Sequence, residues 1–226
     1  MDDARRDQVT AVAALAEPTR RRLYDHVVRQ PVPVTRDEAA AALDLPRATA
    51  AFHLDRMVED GLLDVHYERR TGRTGPGAGR PAKLYRRSDC SVEVSLPERH
   101  YDLAGDLLAA ALVEAQRTGE RPASVLDRQA FARGQELAAE AASGGRAGVL
   151  RVLEGRGFEP RDEDGGIALA NCPFHVLARE HTELVCGMNL RLLEGVVSGV
   201  AGADLVARLR PEQGRCCVRL EPDGDT

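Results

Sequence analysis

The sequence predicts an α+β fold, mainly helical, in three parts. Three features point to it: short helical stripes that close on a basic hairpin at the front, alanine- and leucine-rich helical stretches in the middle, and a mixed helix and strand pattern with four cysteines at the end. The expected boundaries are residues 1–88, 89–145 and 146–226. A chain of 226 residues with 43% hydrophobic content is long enough to bury more than one core.

In the first part, Val12, Leu15, Leu23, Val27 and Val28 recur at helical spacing, and Pro18 suits the first turn of a second helix. Pro31 and Pro33 end that pattern. Thr35-Arg36-Asp37-Glu38 then has the form of a capping box, in which the Thr and Glu side chains each satisfy a backbone amide, so a short helix is expected over residues 36–43. Asp44-Leu45-Pro46 is a tight connection. The stripe of Ala50, Leu54, Met57 and Val58 predicts the next helix, ended by Gly61 in a left-handed conformation. Residues 62–67 and 83–87 read as two strands separated by a glycine-rich stretch. Capped helix, tight turn, helix and basic hairpin, in that order, make a winged helix-turn-helix.

Residues 99–119 and 122–143 read as two amphipathic helices, suited to a homodimer interface or a spacer. Beyond residue 146 the pattern predicts a helix to Gly155, a strand near 167–170, a helix over about 182–200, and a closing strand pair that ends at 215–220.

Net charge is −5, but its distribution is uneven. Residues 1–87 carry 16 Lys+Arg against 13 Asp+Glu, whereas residues 88–226 carry 15 against 23. Arg69, Arg70, Arg73, Arg80, Lys83, Arg86 and Arg87 follow one another with no acid between them, a run fitted to phosphate. A reading helix contacts base edges with its first turns, while neighbouring elements hold the backbone. The residues expected on the exposed side of the helix after Pro46 are Arg47, Thr49, Ala50 and His53, with Arg47 placed to reach guanine and Arg56 to grip phosphate. The expected partner is double-stranded DNA. No signal peptide and no run of about 18 uncharged apolar residues is visible, so a cytoplasmic location without a membrane partner is expected.

Five cysteines, Cys90, Cys172, Cys186, Cys216 and Cys217, favour metal, cluster or redox chemistry over a disulfide framework. Thiolates suit iron–sulfur clusters or zinc, and Cys172, Cys186 and Cys216 offer one ligand each from a loop, a helix and a strand. On a strand, Cys216 would share its face with Val218 and Leu220 and Cys217 with Arg219 and Glu221, which makes Cys216 the preferred ligand and Cys217 the second choice. His175 or His181 can supply a fourth donor. Inert packing of the thiols is the plain alternative. An enzyme with Cys172 as nucleophile and His175 as base lacks an orienting acid or oxyanion loop near Cys172, so no enzymatic activity is expected.

The segments Leu15-Ala16-Glu17-Pro18-Thr19-Arg20-Arg21-Arg22-Leu23 and His53-Leu54-Asp55-Arg56-Met57-Val58-Glu59-Asp60-Gly61-Leu62 resemble the ArsR-type bacterial regulators. Gly79-Arg80-Pro81-Ala82-Lys83-Leu84-Tyr85 is similar to the wing of the SufR-like branch, repressors of iron–sulfur cluster assembly operons. The resemblance covers essentially the whole chain. It implies a transcriptional repressor in which Cys172, Cys186 and one of Cys216 or Cys217 hold an iron–sulfur cluster, 4Fe–4S among the types, that controls operator affinity. A zinc- or small-molecule-responsive regulator of the same architecture is the alternative.

Overall fold

The computed structural model describes residues 3–68, 81–141, 144–212 and 214–224, and it is α+β with helix predominating. The chain parts into two compact units, Met1–Val94 and Ser95–Thr226. Among the described residues no helix is long and apolar enough to cross a membrane.

The first unit contains α1 (Asp3–Ala14), α2 (Pro18–Val28), β1 (Val34–Thr35), α3 (Arg36–Leu43), α4 (Arg47–Glu59), β2 (Leu63–Glu68) and β3 (Ala82–Arg87). Pro18 opens α2, and Glu17 caps it by accepting from the amides of Thr19 at 3.0 Å and Arg20 at 2.6 Å. The capping box at α3 forms as its residue types dictate. Thr35 Oγ1 accepts from Glu38 N at 3.1 Å, and Glu38 Oε2 accepts from Thr35 N at 2.7 Å. Thr35→Ala is expected to cost about 1 kcal/mol of the first unit's stability, read as a lower midpoint in urea at unchanged slope.

Asp44 ends α3 with φ of 52°, a left-handed conformation that Asp tolerates, and Pro46 starts the next helix. Ala39, Ala40, Ala50, Leu54 and Met57 pack with Leu23, Val27, Leu63 and Tyr85 into one core. The sheet is antiparallel with order β1-β3-β2, and β3 pairs Lys83 with Tyr67 and Tyr85 with Val65.

The second unit contains α5 (Tyr101–Thr118), α6 (Pro122–Ala139), α7 (Gly145–Glu154), β4 (Pro160–Glu163), β5 (Gly166–Leu169), α8 (His175–Glu180), α9 (Thr182–Gly199), β6 (Leu205–Leu209) and β7 (Val218–Pro222). Its antiparallel sheet has the order β4-β5-β7-β6. Asp164 and Gly165, both at positive φ, make the tight turn between β4 and β5. Where the sequence separates a linker over 89–145 from a domain over 146–226, the structure joins them. Leu107 and Ala111 of α5 and Val125, Ala130 and Leu137 of α6 share one core with Val149, Ile167, Phe174, Leu192 and Val218.

The reason is the approach of α6 to α9. A Cβ on Gly195 would meet the carbonyl of Phe131 and lie 3.0 Å from the Gly134 Cα, and one on Gly134 would lie 2.8 Å from Val196 N. Only glycine permits the two backbones to touch there, so α6 is an interior helix and not a spacer.

Candidate nucleic-acid interface and cysteine site

Helix α4 is oriented by what it buries. Ala50, Leu54 and Met57 are fully buried, and helical geometry sets Ala48, Phe52, Asp55, Arg56 and Glu59 on the opposite side. Ala50 was expected on the exposed side. Its methyl group instead fills the core against α2 and α3, so it cannot reach a base.

His53 also departs from expectation. Its side chain is only 15% exposed, and Nδ1 lies 3.7 Å from Glu17 Oε2 at the start of α2. The Thr19 amide, with help from the Arg20 amide and His53, holds the Glu17 carboxyl below its usual range against the opposing effect of burial. Thr49 is half-buried. Arg47 is exposed and meets Asp37 of α3. Arg56 is exposed and reaches Glu59 at 3.2 Å and Asp60 at 3.3 Å. Arg69, Arg70, Arg73 and Arg80 lie outside the described residues.

Lys83 is a strut between wing and helix. Its Nζ donates to Asp55 Oδ1 at 2.5 Å and stands 5.3 Å from the centre of the Tyr85 ring, while the Tyr85 hydroxyl donates to the same carboxylate oxygen at 2.7 Å. Burial works to raise the Asp55 carboxyl, but the bonds from Lys83 and Tyr85 outweigh it and leave it below the usual carboxylate range. Burial, and then the bond to Asp55, push the Tyr85 phenol up.

A carboxyl that is depressed in the fold contributes stability above its unfolded value of about 3.9, and that contribution is lost as pH falls through the folded value. Asp55→Asn is therefore expected to lower stability at pH 7 by about 1 kcal/mol, discounted for a half-exposed carboxylate. The gap from wild type should close below about pH 4 in urea melts.

The second unit gathers four of the five cysteines. Cys172 lies in the loop after β5, Cys186 in the second turn of α9, and Cys216 and Cys217 just before β7. Cys172, Cys186 and Cys216 are buried, whereas Cys90 is free and exposed. Cys186 and Cys217 are joined by a disulfide with Cα atoms 6.4 Å apart. The Cys172 and Cys216 thiols lie within reach of a hydrogen bond to each other. That bond, followed by the amide of Phe174 and the Arg99 charge, holds the Cys172 thiol down against burial. The same bond, burial and the Cys172 charge push Cys216 up.

The closing strand starts at Val218, later than expected, so strand alternation does not govern residues 216 and 217. Both sulfurs consequently turn toward the same region: Cys216 to Cys172 and Asn189, Cys217 to Cys186 one turn earlier on α9. His175 opens the short helix α8 and is exposed, as is His181 at its end, so neither joins the sulfurs.

Several side chains of this site carried no sequence signal. Asn189 is 1% exposed, and its Nδ2 donates to Cys216 Sγ at 3.2 Å while its Oδ1 is buried without a hydrogen-bond partner. Its position three residues after Cys186 was the one available hint. Arg99 Nη1 donates to the Cys172 carbonyl at 2.8 Å and also reaches Asn171, whose own amide donates to the Gly157 carbonyl at 2.6 Å. These bonds fix the Cys172 loop.

The donor set is soft and suits an iron–sulfur cluster or zinc once Cys186 and Cys217 are reduced, because reduction frees two more thiols beside the Cys172–Cys216 pair. In the disulfide form described here the sulfurs stand as two pairs, and among the described residues no three His, Cys, Asp or Glu side chains form a ready metal cage.

Comparison with curated proteins and with solved structures returned no match. Residues 15–66, from the end of α1 to β2, match the model of a family described as a helix-turn-helix domain. With α3, the Asp44–Pro46 turn and α4 inside that span, the chain carries a helix-turn-helix domain of the kind that supports DNA-binding transcription regulation.

Proposed function

We propose that this protein is a transcriptional repressor of the ArsR type, SufR-like branch, acting as a cytoplasmic homodimer on duplex DNA. Its operator affinity is set by an iron–sulfur cluster held by C-terminal cysteines. The observation that supports the control site is the meeting of Cys172 with Cys216 and of Cys186 with Cys217, two neighbouring-in-sequence tail cysteines each paired with a cysteine from another segment of the second unit. Once Cys186 and Cys217 are reduced, four thiols leave no requirement for His175 or His181 as ligands.

In the reduced protein Cys172, Cys186 and Cys216 would hold the cluster, with Cys217 as exchange partner or fourth donor. The bound cluster supplies a redox-sensitive centre. The protein's own residues place the sulfurs: Arg99 and Asn171 set the Cys172 loop, and Asn189 orients Cys216. The Cys186–Cys217 bond favours a second reading, in which the same site senses oxidants by a dithiol–disulfide change without metal.

Anaerobic purification followed by visible spectroscopy and analysis for iron, acid-labile sulfide and zinc tests the proposal. A brown protein containing iron and sulfide is expected. A colourless protein with stoichiometric zinc would overturn the cluster in favour of a zinc site, and a metal-free protein would leave the dithiol reading.

A further inference from the structure

We propose that Phe52 is a base-reading residue, its ring packing against the 5-methyl group of a thymine in the major groove. The inference rests on the DNA-binding reading of the first unit and names which base the centre of α4 recognises.

Phe52 is 68% exposed, the most exposed large hydrophobic side chain among the described residues of the first unit. It cannot be an edge of the core, since the buried stripe of Ala50, Leu54 and Met57 lies on the far side of the helix. Among the described residues its ring neighbour is His53, edge-on at 5.2 Å, which steadies the ring without covering it.

Several polar side chains near Phe52 are already engaged. Asp55 is held by Lys83 and Tyr85, Arg56 meets Glu59 and Asp60, and His53 faces Glu17. The middle of the exposed face therefore offers carbon, from Ala48 and Phe52, rather than donors and acceptors. Among the four bases only thymine presents a carbon group in the major groove, and an aromatic or alanine side chain is its natural contact. Arg47 and Arg56 of the same helix and Lys83 of β3 are cations paired with acids of this unit, and at a groove such pairs can be exchanged for phosphate.

The test uses the full-length protein and removes one methyl group at a time. Random-sequence duplexes are selected with wild type and with Phe52→Ala. Each thymine of the enriched site is then replaced by deoxyuridine, and affinity is measured by fluorescence anisotropy. At one thymine per half-site the replacement should weaken wild type about fourfold, the factor for losing one buried methyl-sized group, and change Phe52→Ala less than twofold.

No uracil effect on wild type, or an equal effect on both proteins, overturns the assignment while leaving DNA binding intact. Failure of wild type to enrich any sequence overturns the DNA-binding reading together with this one. Because the ring is exposed, Phe52→Ala should melt with wild type, so a weakened variant cannot be put down to unfolding. A melt lowered by several degrees would show that Phe52 is a packing residue and would also overturn the proposal.

Discussion

Gly195→Ala is expected to unfold or severely loosen the second unit, with a loss of about 4 kcal/mol or more and a fall in its melting temperature of about 10 °C or more. The added methyl group would be driven into the carbonyl of Phe131, with the Phe131 carbonyl carbon only 2.9 Å away. These are backbone atoms of α6, and no side-chain rotation relieves them. The helices would have to separate along a crossing that buries Ala130, Leu137, Leu192 and Val196. The same helix supplies the control. Gly187 has nothing within 4 Å of a new Cβ and ordinary helical backbone, so Gly187→Ala should be neutral or stabilising by about 0.5–1 kcal/mol. Circular dichroism melts of the two variants measure the contrast, and equal midpoints would contradict the crossing.

Reduction of the Cys186–Cys217 bond should also have a large effect. The bond closes a span of 31 residues, and loop-closure entropy assigns such a link about 3–4 kcal/mol of stability through its restriction of the unfolded chain. In reductant without metal, the transition of the second unit should fall accordingly, while Cys217→Ser should melt at that lower temperature in both conditions. A soft metal ion that binds the two freed thiols together with Cys172 and Cys216 only in the folded state should restore part of the loss, by about 2.7 kcal/mol at a hundredfold excess over its Kd. Zinc titration of the reduced protein, followed by its melt, reads that recovery. If reductant shifts nothing, the disulfide does not form in solution and the dithiol reading fails.

The helix-turn-helix was legible because its signals are local. A capping box, a three-residue connection and a terminating glycine each depend on neighbours within four residues, and each appears where the residue types require. What faces outward on α4 was less legible. Alanines make a faint stripe, so Ala50 was placed on both sides at once, and Phe52 gave no cue because an aromatic in an apolar pattern ordinarily belongs to a core.

The cysteine site was read in its members but not in its geometry. Residue types grouped Cys172, Cys186 and a tail cysteine as candidates, whereas the structure sets Cys172 beside Cys216 and joins Cys186 to Cys217; that pairing depends on where β7 begins, and a start at Val218 rather than Arg215 frees both Cys216 and Cys217 from strand alternation. Asn189 and Arg99 act through contacts 27 and 73 residues distant in sequence, which no local pattern encodes. The closeness of α6 and α9 was hidden for a similar reason. Gly134 and Gly195 interrupt helical propensity, and only the partner helix explains them.

In the proposed mechanism the C-terminal thiols govern how tightly the N-terminal domain holds DNA. Its most direct test is the affinity of the full-length protein for one selected duplex, measured anaerobically for the metal-loaded, reduced metal-free and disulfide forms and again for Cys172→Ser. The wild-type forms should differ by about 5- to 150-fold, the usual range of coupling between linked sites, and Cys172→Ser should abolish the advantage of the loaded form. Equal affinity across all of these states would contradict the mechanism.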